Sequence, residues 1–284
     1  MKTWFITGGT PGGFGIAYAE AALKQGDRVA LTARRPAELR EWATEHDDHA
    51  LVLPLDVTDR EQVRIAVKTA EDRFGGIDVL VNNAGRGWYG SVEGTTDETV
   101  RRTFDLNFFA VADVIRAVLP GMRARGDGWI VTMSSLAGLV GVTGFGYYSA
   151  AKSALEGLSE SLRKEVAPFG IKVLVVEPGA FRTRAYAGFA NEPVTETVDA
   201  YHDLITEIRS SFVNQNGTQP GDPTRGVQAV IAAMSSTKPP RRLVLGAAAH
   251  AAAIAMHESA LSELRAHKGW SSGADFRHYQ QQTD

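Results

Sequence analysis

Thr7-Gly8-Gly9-Thr10-Pro11-Gly12-Gly13-Phe14-Gly15 is the stretch whose reading decides the fold. An apolar run, residues 4–7, leads into it, and a stretch with helical periodicity, residues 15–25, leads out. A glycine turn between a strand and a helix lets the backbone bend sharply and approach a phosphate closely. The helix N-terminus behind it then offers unpaired N–H groups and partial positive charge. The residues expected to make this contact are Gly9, Thr10, Gly13, Phe14 and Gly15. A glycine cluster can also serve a tight turn alone, for backbone reasons only.

Outward from this turn, short apolar runs alternate with longer amphipathic stretches. The strands are expected at residues 4–7, 28–33, 51–55, 79–82, 129–134, 172–177 and 243–245. Helices are expected at 15–25, 38–45, 60–74, 97–125, 148–166, 223–235 and about 250–267. That alternation argues for repeated βαβ units. The expected fold is α/β, a Rossmann-type doubly wound parallel β-sheet with helices on both faces. The stretch 97–125 is long for one helix, and Pro120 is expected to kink or end it. Residues 182–221 carry Pro193 and Pro220 and show only weak helical periodicity, which suggests a substrate lid. No linker cuts the chain, so residues 1–269 are read as one domain and 270–284 as a polar tail.

Composition narrows the class. The chain has 284 residues, 44% hydrophobic and 22% charged, with a net charge of -3 and no cysteine. That balance argues against a disordered chain and against the basic excess of a nucleic-acid binder. It leaves no disulfide framework, thiolate metal site or cysteine nucleophile. The seven histidines show no metal-ligand spacing, so no metal is expected. No targeting segment and no apolar run of about 18 residues is visible, so a cytoplasmic protein without a membrane partner is expected.

Two further patterns carry chemistry. The second strand ends at Ala33-Arg34-Arg35, with Arg34 19 residues beyond Gly15. An acidic residue there would suit the ribose 2′-hydroxyl of NAD, whereas arginine suits a 2′-phosphate. NADP(H) is therefore expected over NAD(H), with Arg34 ahead of Arg35. Tyr148 and Lys152 stand four residues apart, on one helix face. Tyr147, five residues from Lys152, would point elsewhere.

Taken in order, the residues resemble the short-chain dehydrogenase/reductase family. The matching positions are Thr7–Gly15, Asp56, Asn82-Asn83-Ala84-Gly85, Asn107, Ser134-Ser135, Tyr148-x-x-x-Lys152 and Pro178-Gly179 with Thr183. The resemblance covers residues 2–183 and continues loosely to about 245. It implies that Tyr148 is the general acid/base, that Ser135 holds the substrate oxygen and that Lys152 and Asn107 complete a proton relay. The flanking Phe108 and Phe109 argue that Asn107 is buried. It also assigns the cofactor to Asp56 and Val57 at the adenine, Asn82, Ala84 and Gly85 along the ribose, and Pro178, Gly179 and Thr183 at the nicotinamide. A lysine ammonium ~4 Å from the phenol, at an effective dielectric of ~20, would favour phenolate by ~4 kcal/mol. That would bring a tyrosine from near ~10 to ~7.

One feature departs from the family. Its turn usually carries three residues between Thr-Gly and the next glycine; here four stand between Gly8 and Gly13. The turn is expected to be one residue longer. On the substrate side, Trp88, Tyr89, Val140, Phe145, Tyr186, Phe189 and Phe212 suit an apolar ketone or aldehyde, and no basic cluster is evident. Lid aromatics can equally serve packing against the scaffold. An Ala-rich helix after the last strand suggests a homodimer rather than a tetramer. The competing readings are an NAD-dependent alcohol dehydrogenase and a dinucleotide-binding regulator without chemistry, though such a regulator would typically lack the Tyr148 or Lys152 equivalent.

Overall fold

The computed structural model describes residues 1–46 and 48–276. The strands are β1 (Thr3–Ile6), β2 (Arg28–Ala33), β3 (Ala50–Pro54), β4 (Val79–Asn82), β5 (Gly128–Met133), β6 (Ile171–Pro178) and β7 (Arg242–Leu245). They form one parallel sheet in the order β3-β2-β1-β4-β5-β6-β7. The helices are α1 (Phe14–Lys24), α2 (Arg40–Thr44), α3 (Arg60–Phe74), α4 (Asp97–Phe104), α5 (Ala110–Arg125) and α6 (Gly146–Val166). They continue with α7 (Arg184–Ala190), α8 (Asp199–Asn214), α9 (Pro223–Met234), α10 (Ala247–Ala266) and α11 (Lys268–Ser272).

Alternating strand side chains build the two layers. Phe5, Ala30, Leu80 and Ile130 pack with α3, α5 and α6. Trp4, Ile6, Val29, Leu31, Val79 and Val81 pack with α1 and α9 on the other face. The winding direction reverses between β1 and β4, and the carboxyl ends of these strands flank the crevice where such folds bind ligands. The glycine turn leaves β1 there, and Asn83-Ala84-Gly85 leaves β4 beside it.

Pro120 does not end its helix. α5 runs through it to Arg125, and Gly126 closes it in the left-handed region. Pro120 lies on the exposed side, while Val111, Val114, Ile115, Val118 and Met122 are buried and hold the helix down. The interruption falls earlier, as a π turn at Asp105–Phe109 between α4 and α5. The segment 182–221 is more helical than its periodicity suggests, because α7 and α8 pack against each other and on Tyr89, Phe145 and Tyr148. Of the polar tail, residues 277–284 lie outside the described residues. Trp270 in α11 is exposed and stacks on His267. No helix of the described residues is long and apolar enough to cross a membrane.

Candidate active site

The longer glycine turn is absorbed locally. Gly13 N donates to Thr10 O at 3.0 Å, Pro11 is second, and Gly12 is third with φ +74. This is the pattern of a type II β-turn, in which the third residue needs positive φ. The extra residue thus sits inside the turn and leaves Gly13 as the N-cap of α1. Gly13 has no side chain to cap the helix, and the N–H groups of Phe14, Gly15 and Ile16 find no backbone acceptor. Gly15 is required by close approach. A Cβ there would overlap the Gly8 carbonyl oxygen and stand 2.9 Å from Asn83 Nδ2. A Cβ on Gly9 would overlap Leu31.

The turn is clamped from β4. Thr7 Oγ1 accepts from the N–H groups of Asn83 and Ala84, both at 3.0 Å. Asn83 Nδ2 donates to Thr7 O at 2.8 Å and Gly8 O at 3.0 Å. Sequence reading quotes Asn83 inside a motif but misses this role; only the β1–β4 adjacency reveals it. Asn82 is buried, and both polar atoms of its amide lack partners.

At the end of β2, Arg34 and Arg35 are both exposed. Arg35 pairs with Glu38 at 2.9 Å, and Arg184 approaches the same carboxylate at 4.0 Å. Arg34 makes no ion pair among the described residues. Asp56 does not cap α3. Its Oδ1 accepts from Thr58 N and Oγ1, and Asp59 is the cap. Val57 beside it is buried. Pro178 ends β6, and Gly179 N donates to Leu245 O. Thr183 caps α7 by accepting from Ala185 N at 3.3 Å. These residues line one continuous edge of the sheet. The free N–H groups of α1 and the orphaned Asn82 amide make this edge fit a dinucleotide with its pyrophosphate at the glycine turn.

Four polar side chains converge beyond that edge. The π turn carries Asn107, 0% exposed, where π bulges commonly serve function. Its Nδ2 donates to Arg86 O at 2.8 Å and Thr103 O at 2.9 Å, and its Oδ1 accepts from Arg86 N. Phe109 does not share this burial; it is 49% exposed. A Cβ on Gly85 would stand 3.0 Å from Asn107 Oδ1 and 3.4 Å from Lys152 Nζ, so both groups close on one glycine. Ser135 Oγ accepts from Ala137 N at 3.1 Å and lies near enough to Tyr148 to lower its phenol. Tyr147 is excluded from this cluster because its hydroxyl donates to Val92 O.

The electrostatics differ from the expectation. Lys152 Nζ donates to Met133 O at 2.8 Å and stands 5.7 Å from the Tyr148 ring centroid. Desolvation pushes the Tyr148 phenol up to about 12, against the lowering by Ser135. The ammonium expected to draw the phenol down to ~7 donates to a main-chain carbonyl, and desolvation of the phenol dominates. Burial also pushes Lys152 itself down to about 8, opposed by Glu156.

The lid aromatics pack. Phe212 meets Phe145 at 4.9 Å, Tyr186 at 5.3 Å and Phe189 at 5.4 Å. Tyr148 touches the same cluster through Phe145. Arg86 ion-pairs with Glu192, and Tyr89 and Arg209 donate to its carbonyl, tying the lid down. A cavity of about 260 Å³ lies between Trp88, Arg102, Phe189 and Pro193. Folding also brings Arg86 and Arg102 over the Trp88 ring, a basic pair that the sequence order hides.

Residues 2–193 match the family model for short chain dehydrogenase. The chain is 37% identical over 246 residues to Oxidoreductase BOA17 of Botryotinia fuckeliana, across 86% of this chain and 89% of that protein. It is 37% identical over 241 residues to the 3-ketodihydrosphingosine reductase of Bacteroides thetaiotaomicron, across 84% and 86%. The crystal structure of a short-chain dehydrogenase from Streptomyces avermitilis superposes with a TM-score of 0.87 at 42% identity, covering 97% of this chain and 99% of that one.

Proposed function

The chain belongs to the short-chain dehydrogenase family, and from that premise we propose that it reduces an apolar ketone or aldehyde with NADPH, with Tyr148 as the proton donor. The observation that carries this reading is the convergence of Asn107 and Lys152 on Gly85, with Tyr148 beside Lys152 and Ser135. A bound NADPH would supply the hydride. The glycine turn and the free N–H groups of α1 hold its pyrophosphate, and Asn82, Ala84 and Gly85 line its ribose. Asp56 with Val57 takes the adenine end, and Pro178, Gly179 and Thr183 take the nicotinamide end.

The side chains then divide the work. Ser135 Oγ hydrogen-bonds the substrate carbonyl oxygen and fixes it beside the Tyr148 hydroxyl. With its phenol pushed up to about 12, Tyr148 keeps its proton at neutral pH and has one to give to the carbonyl oxygen. The Lys152 ammonium stabilises the phenolate that donation leaves behind. Asn107 holds the Arg86 peptide beside Lys152. The aromatic lid supplies an apolar wall and excludes bulk water. The 3-ketodihydrosphingosine reductase named among the relatives supports a ketone on an apolar chain as the substrate class.

Arg34 supports the preference for NADP(H). It is the exposed guanidinium at the end of β2 without an ion pair, whereas Arg35 is held by Glu38. The test has two arms. NADP(H) at ~100 times its dissociation constant should stabilise the protein by ~2.7 kcal/mol in thermal melting. Equal NAD(H) should do markedly less, and Arg34→Ala should remove the difference. Tyr148→Phe should keep the NADP(H) shift and lose at least ~100-fold in NADPH oxidation over a panel of apolar ketones and aldehydes. Undiminished turnover in that variant would refute the assignment.

A further inference from the structure

A pair of buried carboxyl groups lies behind the catalytic cluster, and the reaction as described does not use it. Glu177, near the end of β6, is 0% exposed, and Glu156 on α6 is 6% exposed. They have one cation between them. Arg242 Nε, at the start of β7, stands 3.1 Å from Glu156 Oε2 and 3.7 Å from Glu177 Oε1. Among the described residues neither acid pairs with any other cation. Glu156 Oε1 and both oxygens of Glu177 have no protein donor apart from each other. Two ionised carboxylates sharing one arginine in the interior would repel strongly.

One proton resolves the arrangement. It lets one carboxyl donate to the other. Burial and the Glu156 charge push Glu177 up to about 8, so the pair holds that proton at neutral pH. The pair then carries a single negative charge, opposite the Arg242 guanidinium. The next carboxylate on α6, Glu160, takes three cations of its own: Arg163 at 2.8 Å, Lys164 at 3.6 Å and Arg241 at 3.8 Å. A cleft of about 10 Å³ reaches Glu156 between α6, β6 and Arg242.

Lys152 lies one turn before Glu156 on the same face of α6. Lys152 is 3% exposed, and its one hydrogen bond is to a neutral carbonyl. The groups facing it from β5 and from the π turn, Met133 O and Asn107, are uncharged, and Tyr148 is protonated. The nearby negative charge is that of Glu156.

We propose that Glu156 and Glu177 share one proton and together act as positioning residues for Lys152, with Glu156 holding the buried ammonium through one turn of α6. Glu177, by carrying the shared proton, limits the charge behind the lysine to one. The inference rests on Lys152 being catalytic only for its consequence in turnover. The electrostatic link itself needs no substrate to test.

The experiment is an NMR pH titration of the full chain labelled with [ε-13C]lysine, with the Lys152 signal identified by its loss in Lys152→Arg. The wild-type midpoint should lie near 8. Glu156→Gln should lower it by up to about one pH unit, because the pair's single charge then sits on Glu177 in β6 and no longer one turn away on α6. If that variant does not fold, Glu156→Asp, which withdraws the charge by one methylene, should lower it less but in the same direction. An unmoved midpoint in the variant that folds overturns the proposal.

Glu177→Gln tests the shared proton. Its amide can donate to Glu156 in place of that proton, so the Lys152 midpoint should hold or rise. Glu177 is raised in the folded protein, so the stability it contributes is full below about 4.5 and is lost as pH rises through about 8. Wild type should therefore lose melting temperature across that window relative to Glu177→Gln. Parallel pH profiles overturn the proposal. Should the midpoint follow Glu156 while the alkaline fall of ketone reduction does not follow the midpoint, the pair stands and the catalytic reading of Lys152 falls.

Discussion

The glycine turn and the lid lie on opposite sides of the same crevice, and they are held by different forces. The turn is fixed by main-chain geometry. Gly12 has positive φ, Gly15 sits against Gly8, and Thr7 and Asn83 bond the backbone on both sides of the cleft. The lid is fixed chiefly by rings packed on rings, with the Arg86–Glu192 pair and two hydrogen bonds to the Glu192 carbonyl at its edge. A backbone constraint is satisfied or broken by one atom. A packed cluster spreads its energy over many contacts and can rearrange. The turn should therefore tolerate nothing, and the lid should tolerate much.

Gly15→Ala is the severest test of that contrast. Alanine would gain about 1 kcal/mol in helix propensity. The overlap with the Gly8 carbonyl should outweigh this and cost about 3 kcal/mol net. The measurement is chemical denaturation together with the NADP(H) melting shift, and both should collapse. Equal stability and an intact shift would mean that the turn is softer than its geometry implies.

Asn83→Ala should do less. It removes two donors to buried carbonyls, worth about 2 kcal/mol, and should lower Tm by about 5 °C. The NADP(H) shift should shrink with it, because the turn loses its tie to β4. A Tm drop with an undiminished shift would separate the clamp from the site.

Phe212→Ala in α8 should have the smallest effect on the whole. It removes three ring contacts, each worth about 1 kcal/mol, two of them within the lid's own packing, so most of the loss should fall on the lid. Tm should move by no more than about 3 °C, and the NADP(H) shift should stay. Limited proteolysis within residues 182–221 should accelerate several-fold. A global loss of stability comparable to that of Asn83→Ala would show that the lid is part of the core rather than a cover.

The same division explains what could be read in advance. Gly13, Phe14 and Gly15 were legible because a strand, a tight turn and a helix leave local marks within nine residues. Tyr148 and Lys152 were legible because four residues on a helix bring side chains to one face. Arg34 stood out against Arg35 by position alone, and folding sharpened the difference by giving Arg35 to Glu38. The roles of Asn83, Arg86 and Glu177 were not legible. Each depends on a partner 21 or more residues away, and no periodicity encodes it.

The sequence by itself determined the alternation of elements, the parallel sheet, the glycine turn and the family. The first three follow from local periodicity and from what glycine and proline permit at a single position; the family follows from the resemblance of motifs taken in order. Tertiary structure alone decided that α5 runs through Pro120, because its buried face outweighs one missing hydrogen bond. It alone turned Lys152 to Met133 and placed a buried acid pair behind it. The physical reason is the same in each case. Desolvation and charge depend on what the chain brings together from afar, and they reverse a local expectation whenever burial removes the water on which that expectation rested.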